Sequence, residues 1–213
     1  MNTVIVIVQS FSMVLSLIIS VIALVNSYKQ TELSNKQDLF NERINNFVIV
    51  NGLLDLYKSN KSIIEKDKED EIYFSSNFLF ISLINNSYLE KMGNVINKPL
   101  INSKQKDFLS KIEEIKNEAL KIKFIYNGKE AIAFRKFVDS YANFLIQYMS
   151  LLDLIKEMQE KDKNNMDVHE IADKVDEKNR RKELFKKIDA LKESYNKIEV
   201  GNVVEKIEKQ IKM

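Results

Sequence analysis

Residues 1 to 28 contain no charged side chain, and every one of the 33 basic and 31 acidic residues lies in the rest of this 213-residue chain. Such segregation divides the chain into an apolar leader and a strongly charged body, and a uniformly amphipathic globule cannot have it. The 22 residues from Val4 to Val25 rise about 33 Å as a helix, against a hydrocarbon core of about 30 Å. Fifteen of them are Val, Ile, Leu or Phe. At about 0.3 to 0.6 kcal/mol each, these favour insertion by roughly 5 to 9 kcal/mol before the polar residues subtract. A cleaved signal peptide fits less well, because the run is long, lacks basic residues before it and has no small-x-small site after it. The expectation is a retained single-pass anchor in the cell membrane. Lys29, Lys36 and Arg43 follow the span and no basic residue precedes it, so the N-terminus is expected outside and the remainder in the cytoplasm. Gln9, Ser12, Ser16, Ser20 and Ala23 recur at three- and four-residue spacing and so share one face of the span. That is the pattern for close contact between helices in lipid, and homo-oligomerisation through this face is expected, with serine bonding to its own helix carbonyls as the alternative.

Four Gly and one Pro leave too few turn residues for a sheet, so the fold class expected is all-α: one transmembrane helix continuing into an antiparallel helical bundle with a charged helical arm. The division is 1–28 anchor, 29–160 bundle and 161–213 arm. Leu33, Leu39, Phe40, Ile44, Phe47, Val48, Leu54 and Tyr57 carry the helical period outward from the span. The apolar run Ile72 to Ile84 is too short to span and reads as a buried helix. Phe108, Ile112, Ile115, Ala119, Ile122 and Tyr126 make a seam of strict 4,3,4,3,4 spacing. Asn127-Gly128 closes it, and Phe134, Val138, Tyr141, Leu145, Tyr148, Leu152 and Ile155 form the second helix of a hairpin. Beyond a hinge at Lys161 to Asn165, a thinner seam runs through Val168, Ile171, Val175, Leu184, Ile188, Leu191, Tyr195 and Ile198. After a break at Val200-Gly201-Asn202, Val203, Ile207 and Ile211 follow. This arm is expected to be solvated, either coiled-coil-like or only partly ordered, and the element that meets a cytosolic protein partner.

Catalytic residue sets are scarce. With no Cys and a single His, thiolate zinc ligands, a cysteine nucleophile and multi-histidine metal sites are excluded, and no cofactor is expected. His169 and Asp173 share a helical face but supply only two ligands. Helical-bundle ribonucleases of the HEPN type carry an Arg four to six residues before a His, whereas Asp162, Lys163, Asn164 and Asn165 lead up to His169. Asn127-Gly128-Lys129 lacks the remainder of a phosphate loop. Lys178, Arg180, Arg181, Lys182, Lys186 and Lys187 form the one basic cluster. They are candidate contacts for phosphate or anionic lipid, diluted by Glu177 and Glu183, and a solvated helix face is the simpler reading. With a net charge of only +2, nucleic acid is not expected as a partner. Arg43, between Phe40 and Phe47, is expected to snorkel or to pair with a carboxylate. Glu113, Glu114 and Glu118 with Lys111, Lys116 and Lys121 read as a solvated face.

The juxtamembrane stretch from Tyr28 to Gln37, with Leu39-Phe40-Asn41-Glu42-Arg43 after it, resembles a loose group of uncharacterised small membrane proteins from low-GC Gram-positive bacteria over residues 4 to 60. The resemblance implies a single span with a helical cytosolic domain, often of mobile-element or phage-defence type, and carries no active site over to this chain. The function expected is a membrane-anchored interaction or sensor protein rather than an enzyme. A membrane-perturbing abortive-infection toxin and an enzyme using an unrecognised carboxylate site are the alternatives.

Overall fold

The computed structural model describes residues 2–64, 81–92, 102–162 and 168–212, and every regular element among them is helical. The helices are α1 (Asn2–Ile64), α2 (Asn102–Ile125), α3 (Gly128–Asp162), α4 (Val168–Lys174), α5 (Glu177–Val200) and α6 (Val203–Ile211). The all-α expectation holds. The chain forms two compact units, residues 1–42 and 43–213.

In the first unit, α1 passes through the uncharged leader without interruption and is long and apolar enough to cross a membrane. The protein's own fold buries none of that apolar segment. Ile7, Phe11, Leu17 and Leu24 are all largely exposed, where the core helix of a soluble bundle would be covered.

The second unit owes its core to the periodic apolar positions of the sequence. The end of α1 buries Val50, Leu53, Leu54, Tyr57 and Ile64, and α2 buries Phe108, Ile112, Ile115, Ala119 and Ile122. The Asn127-Gly128 turn reverses the chain, with Gly128 at φ +79°, a left-handed conformation that glycine adopts without the clash of a Cβ. Helix α3 then packs on α2 as the hairpin spacing requires. It buries Phe134, Val138, Tyr141, Leu145, Tyr148 and Leu152, and also Phe137, Phe144, Leu151 and Leu154, so its apolar arc is wider than one seam. That breadth makes α3 the central helix, in contact with α2, α4, α5 and α6. Segment 81–92 crosses the same core, burying Leu83, Ile84, Leu89 and Met92, while Tyr141 donates its hydroxyl hydrogen to the Leu83 carbonyl. Only this end of the apolar run at 72–84 is described, and its Ile81 is exposed; residues 72–80, the break at 97–99 and residues 163–165 of the hinge lie outside the described residues.

The expected boundary between bundle and arm does not divide the compact units. Helix α5 packs along α3 and α6 packs on both, and all three belong to the unit spanning 43–213. On the thin seam of α5, Tyr195 meets the rings of two other helices. Its ring lies 4.5 Å from that of Tyr57 and 6.3 Å from that of Phe137. Tyr57 in turn meets Phe137 edge-on at 6.4 Å, so one aromatic cluster joins α1, α3 and α5. A helix rich in charge on its outer face is thereby ordered by a few large inner side chains, each contributing about 1.5 to 3 kcal/mol by burial.

Candidate functional site: the span face, the basic helix and the Arg43 junction

Gln9, Ser12, Ser16, Ser20 and Ala23 are all exposed on α1. Within the helix, Ser20 Oγ donates to the Ser16 carbonyl at 2.8 Å, and Thr31 makes the same bond to Ser27 at 2.9 Å. Back-bonding of this kind satisfies the hydroxyl hydrogen and leaves the oxygen and the small side-chain volume on the surface. The two readings of the serines are therefore compatible.

The basic cluster on α5 is dispersed around the helix. Lys178, Lys182 and Lys186 are exposed and follow one another at four-residue spacing, whereas Arg180 and Lys187, at about 100° per residue, point to other sides. Arg181 lies with its Nε 3.1 Å from Oε1 of the buried Glu177, and Lys186 pairs with Glu183. Charge from Lys186 and its neighbours Lys187 and Lys182 holds the Glu183 carboxyl below its ordinary range, the hydrogen bond from Lys186 being the largest cause. What remains for an anion is a row of three lysines with an acid beside it, a weak electrostatic surface. The side chain of His169 lies outside the described residues, and among the described residues no group of three or more His, Cys, Asp or Glu is arranged to hold a metal.

The densest polar construction lies at Arg43, the first residue of the second unit. Arg43 Nε donates to the Ile125 carbonyl and its Nη1 to the Gln210 carbonyl, both at 2.7 Å. These carbonyls belong to the last turns of α2 and α6, where backbone acceptors have no partner within the helix and the helix dipoles are negative. A guanidinium suits the place because its planar fork presents several donors at once. Tyr126 donates its hydroxyl hydrogen to the Arg43 carbonyl at 2.6 Å. Gln210 closes the knot, donating Nε2–H to the Asn127 carbonyl at 3.1 Å and accepting from the Asn127 amide at 2.9 Å. Arg43 thus corrects the sequence expectation: its partners are helix-end carbonyls rather than a carboxylate, because folding brings the C-terminal ends of two helices to it. The apolar residues around position 43 were its only sequence signal. Gln210, in a polar C-terminal stretch, had none.

One turn further along α1, the buried Asn46 donates through Nδ2 to the Glu118 carbonyl (3.1 Å) and to Glu118 Oε2 (2.9 Å), while Lys121 reaches Oε1 at 2.9 Å. Lys111, read from sequence as solvated, is buried. It pairs with Glu114 and lies 4.4 Å above the Tyr88 ring. Burial, and next the charges of Glu118 and Glu114, push the Tyr88 phenol well above its ordinary range. This face of α2 is a polar seam to α1 and segment 81–92. Elsewhere, a cleft of about 290 Å³ between α1, α5 and α6 is lined by Asp55, Glu199 and Glu205 beside Lys58, over Leu54, Ile198 and Val203. Nothing in it sets a nucleophile against a base. No protein-family model matches this sequence, and no curated protein or solved structure matches it.

Proposed function

We propose that the protein is a membrane-anchored helical module that works by binding rather than by catalysis, with its leader in the lipid and residues 43–213 presented in the cytoplasm. The observation that carries this reading is the complete exposure of an apolar helical segment joined, in one helix, to the first core residues of a folded bundle. An apolar helix left uncovered by its own chain is stabilised by lipid, which accepts it because every backbone group inside a helix is already bonded. The distribution of Lys29 and Lys36 after the span supports the cytoplasmic placement of the bundle. The Ser12, Ser16, Ser20 and Ala23 face supports association of spans.

Topology provides the test, and the absence of Cys makes it free of background. Ser59→Cys, at an exposed position on α1, is expected to resist an impermeant thiol reagent in intact cells and to react after lysis. Full labelling in intact cells would place the bundle outside, and recovery of the full chain in the soluble fraction would remove the anchor.

A further inference from the structure

The α2–α3 hairpin carries a face that the bundle leaves uncovered. Leu109, Leu120 and Phe124 on α2 are 55%, 49% and 78% exposed, and Ile132 and Ile146 on α3 are 70% and 36% exposed. At about 100° per residue, the three α2 residues fall within about 60° of one another and the two α3 residues within about 40°. Both stripes point away from α1. Leu109 lies about 180° around α2 from Glu118, which Asn46 of α1 engages, and Ile146 lies about 180° around α3 from Phe137, which meets Tyr57 of α1. Because α2 and α3 are antiparallel neighbours, the two stripes occupy the same side of the hairpin.

The levels along the hairpin match. Leu109 stands 18 residues before Asn127, and Ile146 stands 18 after Gly128. Lys116 stands 11 before Asn127, and Asp139 stands 11 after Gly128. Leu120 and Phe124 bracket the level of Ile132 near the turn. Lys116 is exposed, and Asp139 is partly exposed with Arg135 Nε 3.4 Å from its Oδ2. From the turn outward the face therefore reads apolar, charged, apolar on both helices, with Lys116 of α2 level with Asp139 of α3; the exposed Glu113 shares the α2 stripe, and Arg135 is the partner that Asp139 has within its own helix.

We infer that this face is a homodimer interface whose occupant is the same face of a second copy, related by a two-fold axis running along the hairpin. Such an axis sets α2 of one copy against α3 of the other with levels preserved. Leu109 then meets the second copy's Ile146, Phe124 and Leu120 meet its Ile132, and Lys116 meets its Asp139, with each contact made twice as an isologous interface requires. An axis across the hairpin would instead set α2 on α2 and α3 on α3 with levels reversed, so that Lys116 faces the second copy's Lys116 and Asp139 its Asp139, like charge against like. The contact is also separate from the serine face of the span, so it adds to the proposed function without resting on it.

Disulfide trapping in the full-length, membrane-embedded chain tests the arrangement. Two differently tagged copies carrying Leu109→Cys and Ile146→Cys are expected to cross-link on mild oxidation, as are Lys116→Cys with Asp139→Cys, since facing positions bring Cα atoms within about 7 Å. Glu193→Cys, exposed on α5, reports the random background. Adding Leu120→Asp and Phe124→Asp, at surface positions that leave the core intact, is expected to cut the 109–146 product at least tenfold. Ser16→Leu/Ser20→Leu is expected to leave that product well above background. The inference is overturned if the 109–146 product stays at the Glu193→Cys level, if it survives the double Asp variant, or if Leu109→Cys cross-links with itself in preference to Ile146→Cys. Quenching of a fluorophore on Phe124→Cys by brominated lipid would overturn it in favour of a membrane surface.

Discussion

Arg43 stands 2.7 Å from the carbonyl oxygens of both Ile125 and Gln210, so one side chain closes the ends of two helices that are far apart in sequence. A charge-assisted hydrogen bond is worth about 1.5 to 3 kcal/mol, and the two share one donor group, so Arg43→Met is expected to lower unfolding stability by about 2 to 4 kcal/mol. Arg43→Lys is expected to recover less than half of that, because an ammonium cannot reproduce the fork. Chemical denaturation of the detergent-solubilised chain measures both, and equal stability of Arg43→Lys and the native chain would reduce the junction to simple charge. Tyr126 and Tyr141 make a second residue-level prediction. Burial raises both phenols above the ordinary 10.0, with Arg43 pulling Tyr126 slightly the other way. Such a phenol keeps its proton in the folded chain after the unfolded chain has lost it. Its stabilisation is thus complete below about pH 10 and disappears as pH climbs toward the raised folded value. Urea midpoints are expected to change little with respect to these groups between about pH 7 and 9 and to fall above about 10, with a shallower fall in Tyr126→Phe. An alkaline limb unchanged in Tyr126→Phe would show that this phenol is not part of it.

Among the elements, α5 shows how little apolar sequence is needed once a partner surface exists. Its inner side chains Leu184, Ile188, Leu191, Tyr195 and Ile198 are buried in a helix that is otherwise mostly Lys, Glu, Asp and Asn. The contribution of Tyr195 is disproportionate because it touches both Tyr57 and Phe137. Tyr195→Ala is expected to cost about 3 to 5 kcal/mol, the range for removing a large aromatic from a core. Hydrogen exchange is expected to show α5 and α6 losing protection before α2 does, since α2 and α3 keep their own hairpin contact. Simultaneous loss throughout residues 43–213 would mean that the unit opens only as a whole.

For the whole molecule, the decisive property is that an uncovered apolar helix and a folded bundle occupy one chain. If spans associate through their small-residue face, Ser16→Leu/Ser20→Leu is expected to weaken self-association of the isolated span in a membrane two-hybrid assay. Wider side chains separate the backbones and remove contacts worth roughly 0.6 kcal/mol each. An unchanged signal would leave those serines with only their helix carbonyls, as Ser20 has with Ser16.

Charge placement and apolar period, both properties of short windows, were enough to determine the helical class, the uncharged leader, the hairpin at Asn127-Gly128 and most core positions of α2, α3 and α5. A helix repeats every 3.6 residues whatever it packs against, so Phe108 to Tyr126 could be assigned to a buried seam without knowing the partner. Tertiary structure alone decided the rest. Arg43 acquired its carbonyl partners from residues 82 and 167 positions away. Lys111 became buried against the Tyr88 ring that segment 81–92 brings to it, although its sequence neighbours are those of a surface helix. The charged C-terminal stretch joined the core because α3 offered an aromatic surface for Tyr195. In each case the outcome depends on which groups desolvate together, and that is fixed by contacts across the fold rather than by any local pattern.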